Sequence, residues 1–250
     1  MKNNLILLRH GESEWNLENR FTGWMDVDLT KNGEKEAKKA GILLLENKIN
    51  INAVYVSYLK RAIKTSKICL KQIKVQNLKV KMDWRLNERH YGNLQGLNKS
   101  ETSKKYGEDQ VKIWRRSYDV PPPKMSQNDK RHPKYDILYK NVDPKALPSS
   151  ESLKDTLSRV KPLWLRKIFP QIKNGKNVMI VAHGNSLRAI IKMLKNVSNN
   201  DIIKLNVPTG IPYIIEFSDE FNIIKDYYLG DRDEISKKIN MVANQSSSKV

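Results

Sequence analysis

Short apolar runs alternate with long amphipathic stretches along most of the chain, and this alternation limits the fold more than any other feature. The two most apolar runs, 5–9 and 178–183, suit central strands covered on both faces. Strands separated by helical stretches predict βαβ crossovers, and therefore an α/β fold with a mostly parallel central sheet flanked by helices. The candidate strands are LILLR (5–9), AVYVS (53–57), LKVKM (78–82), VMIVAH (178–183) and YIIEF (213–217). The candidate helices are KNGEKEAKKAGILLLEN, with Thr30 as its N-cap, LKRAIKTSKICLKQI and SLKDTLSRVKPLWLRKIF.

Residues 83–150 and residues 237–250 do not follow this alternation of apolar runs and amphipathic stretches. A chain of 250 residues suits one domain with a sizeable core, so we expect a single domain over 1–250. Residues 83–150 include VPPPK and a long polar stretch, which predicts an irregular insert over the C-terminal edge of the sheet. The polar, serine-rich residues 237–250 predict a flexible tail.

Positive charge is the strongest compositional bias. The 46 Lys and Arg residues against 27 Asp and Glu residues give a formal net charge of +19. This excess favours an anionic partner and leaves nucleic acid, membrane lipid and phosphorylated metabolites open. Cys69 is the only cysteine, which excludes an intramolecular disulfide and a cysteine-based zinc site. No apolar run approaches the ~18 residues of a membrane span, and we expect a cytoplasmic protein.

Two candidate strands end in the same way. LILLRHGE and VMIVAHGN each pass from an apolar run to a histidine, His10 or His183, and then to a glycine and a polar residue. A single histidine after a strand is usually a structural residue. In an open α/β sheet, however, ligands bind at the carboxyl ends of central strands, so the two histidines are expected to face one another across one crevice. Gly11 and Gly184 would let backbone N–H groups approach an anion closely.

Arginines near strand ends or in the insert could line this crevice. A guanidinium group matches a phosphate bidentately, although any one arginine could instead be a solvated surface charge. Nearby positive charge would lower the pKa of a histidine and keep it neutral, and a neutral imidazole can attack phosphorus to give a phosphohistidine. The second histidine would stabilise charge on the equatorial oxygens. The arginines are Arg9, Arg61, Arg89, Arg115 and Arg116.

Phosphoryl transfer also needs an acid for the leaving oxygen. Glu88, in WRLNERHYGNLQG at the start of the insert, is the candidate general acid and base. Its alternative role is a structural salt bridge to a neighbouring arginine. Asp83 and Glu12 are weaker candidates.

Long motifs extend these short patterns over most of the chain. They are LLRHGESEWNLENRFTGWMDVDLT, LKRAIKT, WRLNERHYGNLQG, WRRSYDVPPP, AHGNSLRAIIK, KLNVPTGIPYIIE and VANQ. They run in register from residue 4 to about residue 245 and resemble the cofactor-dependent phosphoglycerate mutases of the histidine phosphatase superfamily. Arg-His-Gly alone would imply only the superfamily.

The resemblance implies a reaction and its residues. The reaction is the interconversion of 3-phosphoglycerate and 2-phosphoglycerate, primed by 2,3-bisphosphoglycerate and without a metal. His10 would be phosphorylated, Glu88 would donate and accept the proton, and His183, Arg9 and Arg61 would stabilise the transferring group. No pattern in the residues independently indicates Asn16, Tyr91 or Lys99. The implied substrate-binding residues are Ser13, Asn16, Thr22, Gly23, Arg89, Tyr91, Lys99, Arg115, Arg116, Gly184 and Asn185.

The resemblance also implies partners. It implies a phosphorylated three-carbon acid as substrate, neither nucleic acid nor a membrane, a homo-dimer or homo-tetramer, and a C-terminal segment that folds over the pocket. A bisphosphoglycerate mutase or phosphatase of the same superfamily is the alternative enzyme. A polyanion-binding protein is the alternative that follows from the net charge alone.

Overall fold

A six-stranded sheet forms the centre of the computed structural model, which describes residues 3–74 and 78–245. Its strands are β1 (Asn3–Arg9), β2 (Ala53–Val56), β3 (Val80–Met82), β4 (Val178–Ala182), β5 (Pro212–Phe217) and β6 (Ile223–Tyr228). The order across the sheet is β3-β2-β4-β1-β5-β6. The pairs β2–β3, β2–β4 and β1–β4 are parallel, whereas β1–β5 and β5–β6 are antiparallel. The predicted α/β architecture is therefore confirmed.

Helices cover both faces of this sheet and form part of the insert. A π-helical turn, Trp164–Ile168, continues the sixth helix into the seventh. Thr30 is the N-cap of the second helix, as predicted, and its side chain accepts from the backbone N–H of Gly33. The helices are α1 (Glu14–Leu17), α2 (Lys31–Glu46), α3 (Lys60–Ile73), α4 (Lys99–Tyr106), α5 (Glu108–Arg116), α6 (Leu153–Leu163), α7 (Phe169–Lys173), α8 (Gly184–Lys195) and α9 (Arg232–Asn244).

Alternate side chains of the central strands enter two separate cores. Ile6 and Leu8 of β1 pack with α2 and α3 on one face, while Leu5 and Leu7 pack with α6 and α8 on the other. Residues Leu5 to Leu8 are completely buried, which holds the end of β1 rigidly. Cys69 lies in the first of these cores, and burial raises the pKa of its thiol to about 12. It is therefore a core residue rather than a reactive thiol.

The insert is more regular than predicted. It contains α4 and α5 together with short 3₁₀ turns such as Trp84–Leu86 and Gly92–Leu94. Neither helix was predicted, because SETSKKY and EDQVKIWRR lack a broad apolar stripe and bury few residues. A small core of Phe21, Leu94 and Val111 supports this part of the insert.

The C-terminal segment also differs from the predicted flexible tail. Residues 237–244 form the second half of α9, whose N-cap is Asp231, and residues 246–250 lie outside the described residues. Lys238 of α9 donates to Glu36 Oε1 of α2 over 2.6 Å. This contact connects α9 to a helix that packs on the sheet. No helix within the described ranges is long and apolar enough to cross a membrane.

Candidate active site

His10 and His183 lie together at the carboxyl ends of β1 and β4. The two strands are parallel neighbours in which Arg9 pairs with Ala182, so the residues that follow them emerge side by side. The ring centroids are 4.9 Å apart with an interplanar angle of 58°. Both side chains are buried, His10 at 3% exposure and His183 at 0%. The crevice expected between the two strands therefore exists.

His10 is held in the form that can act as a nucleophile. Its Nδ1 lies 2.7 Å from the carbonyl oxygen of Gly11, which can only accept, so Nδ1 bears the proton and Nε2 keeps a lone pair. Arg61 Nε donates to Nε2 over 3.3 Å. Burial, followed by the charges of Arg61 and Arg9, lowers the pKa of His10 well below its ordinary value. The imidazole is therefore neutral at physiological pH.

The chain fixes Arg61 in this position through the loop before α2. Its Nη1 donates to the carbonyl of Met25 over 2.9 Å and its Nη2 to the carbonyl of Gly23 over 2.8 Å. Burial is the main reason why the pKa of Arg61 is lowered to about 10. With both terminal nitrogens engaged, Nε is left facing His10.

Gly11 has a different purpose from the one expected. Its backbone N–H donates to Thr65 Oγ1 over 3.1 Å rather than facing the pocket. A Cβ at this position would clash with the carbonyl group of Gly33 in the first turn of α2. Glycine is thus required here by close packing of the loop after β1 against the first turn of α2, and not by the approach of an anion.

His183 is a neighbour of His10 and the residue directly before α8. Its Nε2 lies 2.7 Å from Ser57 Oγ, and its Nδ1 is buried without a hydrogen-bond partner in the described part of the chain. Burial, Arg61 and His10 lower its pKa well below the ordinary value. A neutral His183 imidazole therefore lies close enough to contact a group that is bonded to His10.

Glu88 lies opposite the N-terminus of α8. Its Oε1 accepts from the backbone N–H groups of Arg89 (2.7 Å) and Asn185 (3.1 Å). A Cβ on Gly184 would lie 3.7 Å from Oε2 and 3.6 Å from the guanidinium carbon of Arg9, so these groups surround one small space. The carboxyl group is thus oriented by backbone donors rather than by an arginine fork.

Cations dominate the lining of the cleft that contains His10 and Glu88. Lys99, Arg115 and Arg116, all from the insert, face Arg9 and Arg61 from the sheet side. Burial first, and then repulsion from neighbouring cations, lowers the pKa of Lys99 well below its ordinary value and that of Arg115 to about 9. A bound polyanion would relieve this repulsion, so the cleft fits a multiply charged phosphate compound. Within the described residues, no group of His, Cys, Asp or Glu could hold a metal ion.

Tyr91 and Asn185 form a hydrogen-bonded pair in the wall of the cleft. Asn185 Nδ2 donates to the Tyr91 hydroxyl over 3.2 Å. Burial raises the pKa of Tyr91, but the charges of Arg89 and Arg115 outweigh it and leave the pKa below the ordinary value. Arg89 lies behind the Tyr91 ring, 4.7 Å from its centroid, and is completely buried.

The described residues that line the cleft do not include four of the expected site residues: His183, Ser13, Asn16 and Arg89. His183 is completely buried beside His10. Arg89 supports Tyr91 instead, with Nη2 donating to the carbonyl of Arg115. Ser13 and Asn16 form the capping box of α1, in which Asn16 Oδ1 accepts from the Ser13 backbone N–H and hydroxyl. Those expected residues that do line it are Arg9, His10, Thr22, Gly23, Arg61, Glu88, Tyr91, Lys99, Arg115, Arg116, Gly184 and Asn185.

Six further described residues line the cleft and were not predicted from the sequence, two of them in α9 and its C-cap. Gln245 Oε1 accepts from Lys99 Nζ (3.2 Å) and Arg115 Nη2 (3.5 Å), while Arg116 Nη2 donates to the Val242 carbonyl (3.0 Å). VANQ was noted only as a motif, and its four residues have no pattern that indicates a binding role. The lining residues missed are Arg20, Arg188, Asn206, Val207, Val242 and Gln245.

Comparisons with curated proteins identify close full-length relatives. A protein of Bacteroides fragilis named 2,3-bisphosphoglycerate-dependent phosphoglycerate mutase is 56% identical over 245 residues, covering 98% of this chain and 99% of the relative. A protein of Elusimicrobium minutum with the same name is 52% identical with the same coverage.

Solved structures share the fold at much lower identity. A mycobacterial glucosyl-3-phosphoglycerate phosphatase has a TM-score of 0.66 at 22% identity, covering 85% of this chain and 92% of that chain. The α-ribazole phosphatase of Shigella flexneri has a TM-score of 0.63 at 21% identity, covering 92% and 96%.

A model of the histidine phosphatase superfamily, branch 1, matches residues 5–229. This match includes both histidine-bearing strands and most of the residues that line the cleft. Together with the full-length relatives, it establishes that the chain belongs to the histidine phosphatase superfamily.

Proposed function

We propose that this chain is a 2,3-bisphosphoglycerate-dependent phosphoglycerate mutase, which interconverts 3-phosphoglycerate and 2-phosphoglycerate in glycolysis through a phosphohistidine at His10. The carrying observation is the hydrogen bond from His10 Nδ1 to the Gly11 carbonyl, which leaves the Nε2 lone pair at a cationic cleft. Relatives of that name, 52–56% identical over 98% of the chain, support the choice of substrate.

The proposed transfer step moves one phosphoryl group and one proton. The N–P bond of phosphorylated His10 breaks as an O–P bond forms to the free hydroxyl of the substrate, and Glu88 takes the hydroxyl proton. In the return step His10 Nε2 attacks the other phosphorus, and Glu88 gives the proton to the departing oxygen. Arg9, Arg61 and His183 stabilise the charge on the equatorial oxygens.

The same cations support the identity of the primer. Bound 2,3-bisphosphoglycerate would supply the phosphoryl group that charges His10. Lys99, Arg115 and Arg116 would hold the carboxylate and the distal phosphate, while Arg9 and Arg61 lie beside the nucleophile. We expect no requirement for a metal, because these groups already provide positive charge around the phosphoryl group.

Further site roles follow the family pattern in part. We propose that Thr22, Gly23, Tyr91, Gly184 and Asn185 contact the substrate from the cleft wall. Ser13, Asn16 and Arg89 would reach it only through movement of α1 or of Tyr91, because their side chains are engaged elsewhere. We therefore assign these three a supporting role.

Several broader properties accompany the proposal. We propose a cytoplasmic homo-dimer or homo-tetramer whose residues 1–250 form one domain. The insert at 83–150 supplies five of the residues that line the cleft: Glu88, Tyr91, Lys99, Arg115 and Arg116. A phosphorylated three-carbon acid is its partner, and neither nucleic acid nor a membrane is. Support for a small anionic partner comes from seven cationic side chains that line one cleft: Arg9, Arg20, Arg61, Lys99, Arg115, Arg116 and Arg188.

One assay separates this function from its alternatives. Purified protein is given 3-phosphoglycerate with and without catalytic 2,3-bisphosphoglycerate, and 2-phosphoglycerate and inorganic phosphate are both measured. We expect primer-dependent formation of 2-phosphoglycerate. Release of inorganic phosphate with no formation of 2-phosphoglycerate would instead identify a phosphatase. Binding to a mixed-sequence oligonucleotide is measured in parallel at physiological salt, where a polyanion-binding protein would bind and a mutase would not.

A further inference from the structure

Arg188, which was not predicted from the sequence as a site residue, lines the cleft from the second turn of α8. It is 2% exposed. Its Nη1 donates to Asn185 Oδ1 over 2.8 Å, and its Nη2 donates to the carbonyl of Ile202 over 2.6 Å. The bond to Ile202 anchors the guanidinium group to the turn Asp201–Ile203, so the group is held in a fixed place relative to Asn185.

We propose that Arg188 is a positioning residue that determines which end of the Asn185 amide faces the substrate cleft. A guanidinium group has donors only, so the atom of Asn185 that it contacts must be the carbonyl oxygen. Nδ2 is then turned the other way, toward the Tyr91 hydroxyl. The two ends of an amide are almost equal in size, so packing alone would not choose between them.

The choice of amide end matters because the cleft takes an anion. With Nδ2 toward the cleft, Asn185 and Tyr91 present hydrogen-bond donors to phosphate or carboxylate oxygens. With Oδ1 toward the cleft, an acceptor would face these oxygens and repel them. The backbone N–H of Asn185 also donates to Glu88, so this residue lies between the proton donor and the binding wall.

The surroundings of Arg188 fit a functional group rather than a surface charge. Burial, and then the charges of Arg116 and Arg89, lowers its pKa to about 9. Its Nε is buried without a hydrogen-bond partner among the described residues. A cation retained under these conditions is destabilising in the unliganded protein, which is characteristic of binding sites.

A double-mutant cycle tests the proposal. The Kd for 3-phosphoglycerate, without primer so that no turnover occurs, is measured by calorimetry for the wild type, Arg188→Met, Asn185→Ala and the double variant. We expect Arg188→Met to weaken binding about tenfold in the wild-type background. In the Asn185→Ala background it should weaken binding no more than about twofold. A loss of about tenfold in both backgrounds would overturn the proposal, because Arg188 would then act through its charge alone.

Two further variants protect the test. Arg188→Lys, which also has donors only, should recover most of the affinity. If Arg188→Met does not fold, Arg188→Gln replaces it, since glutamine can still donate to the Ile202 carbonyl but does not dictate the amide orientation. If Arg188→Gln weakened binding equally in the wild-type and Asn185→Ala backgrounds, this result would also contradict the proposal.

The inference rests on the proposed function for the choice of 3-phosphoglycerate as probe, and a second probe separates the two. Inorganic phosphate is titrated into the same four proteins. A wild-type protein that binds phosphate but not 3-phosphoglycerate contradicts the proposed function. Additive losses with phosphate contradict the positioning role of Arg188, whatever the substrate is.

Discussion

The lone pair on His10 Nε2 is available because one backbone oxygen accepts a hydrogen bond from Nδ1. The Gly11 carbonyl holds the proton on Nδ1, and the pKa lowered by burial keeps a second proton off Nε2. Arg61 Nε is the donor beside that lone pair, and it would move to a phosphate oxygen once phosphorus binds to Nε2. The nucleophile is therefore prepared by neighbours that do not themselves react.

Replacing His10 should abolish the phosphoenzyme. We expect His10→Ala to incorporate no acid-labile label from ³²P-labelled 2,3-bisphosphoglycerate. His183→Ala is the matched control, because it removes the adjacent imidazole yet leaves the nucleophile, and it should still become labelled, though more slowly. Label on His10→Ala would mean that another residue is the nucleophile, and site mapping would identify it.

Replacing Glu88 should slow proton transfer without disturbing the site. The side chain of Glu88→Gln can still accept from the backbone N–H groups of Arg89 and Asn185, so thermal unfolding should be little changed. Because the amide cannot give or take the proton, we expect the rate of phosphoenzyme formation to fall by about 10²–10⁴-fold in rapid-quench measurements. An unchanged rate would assign the proton to another group.

Buried histidines should make the protein sensitive to acid. Burial lowers the pKa values of His10 and His183, and lowers that of His90 to about 3. The unfolded chain, with pKa values near ~6.5, then binds more protons, so stability is complete above pH ~6.5 and is lost as pH falls toward the folded values. Urea unfolding should show a loss of up to about 1.4 kcal/mol per pH unit for each histidine. His90→Asn should reduce this slope, and an unchanged slope would contradict the assignment.

The proximity of His10 and His183 was predictable from sequence, and the residues that support them were not. His10 and His183 follow two similar apolar strands, a local pattern, and the paired strands bring them together. Ser57 and Thr65 contact the site across long separations in the chain, where no local pattern indicates the contact. The capping box of α1, which engages the side chains of Ser13 and Asn16, is a local pattern that was also not predicted.

At the scale of elements, α9 is attached to the body of the protein at Glu36. Glu36 Oε1 accepts from Lys238 (2.6 Å) and Thr209 (3.1 Å), and its Oε2 accepts from the backbone N–H of Glu12 (2.7 Å) in the loop after His10. One buried carboxylate thus joins α9, the 207–210 loop and the nucleophile loop. Displacement of α9 would also release Val242 and Gln245 from the cleft.

Loosening α9 should admit water to the phosphoenzyme. We expect Lys238→Met to lower mutase kcat several-fold and to raise the rate of phosphohistidine hydrolysis, because Gln245 and Val242 would cover the cleft less of the time. Lys237→Met is the matched control, since Lys237 is exposed on the same helix and should change neither rate. If Lys238→Met lowered mutase kcat and the rate of phosphohistidine hydrolysis equally, this result would argue against a role of α9 in covering the cleft.

Strand and helix positions were predictable where apolar runs are continuous. All five predicted strands form, with ends that differ by one or two residues. β6 was missed because IIKDYY is a partly exposed edge strand with two charged residues, so its apolar signal is weak. The helices α4 and α5 were missed for the same reason, since the insert buries them little.

At the scale of the whole molecule, the net charge of +19 should be visible in the kinetics. An excess of positive charge around a cationic cleft attracts phosphorylated substrates, and salt screens that attraction. We expect KM for 3-phosphoglycerate to rise about 3- to 10-fold between roughly 20 and 200 mM sodium chloride, with kcat nearly constant. If KM does not change with the sodium chloride concentration, the excess positive charge hydrates the protein surface but does not attract the substrate.

The central place of β1 has a consequence for synthesis of the protein. Leu5 pairs with Val178 on one side and with Ile215 on the other, so β1 is synthesised about 170 residues before the first of the two strands that pair with it. At roughly 5–20 residues per second, this apolar segment waits about 10–35 seconds for β4 to be synthesised, and longer for β5. During that interval LILLR is an exposed, aggregation-prone segment that a chaperone could protect, and His10 is still an ordinary histidine of a nascent chain.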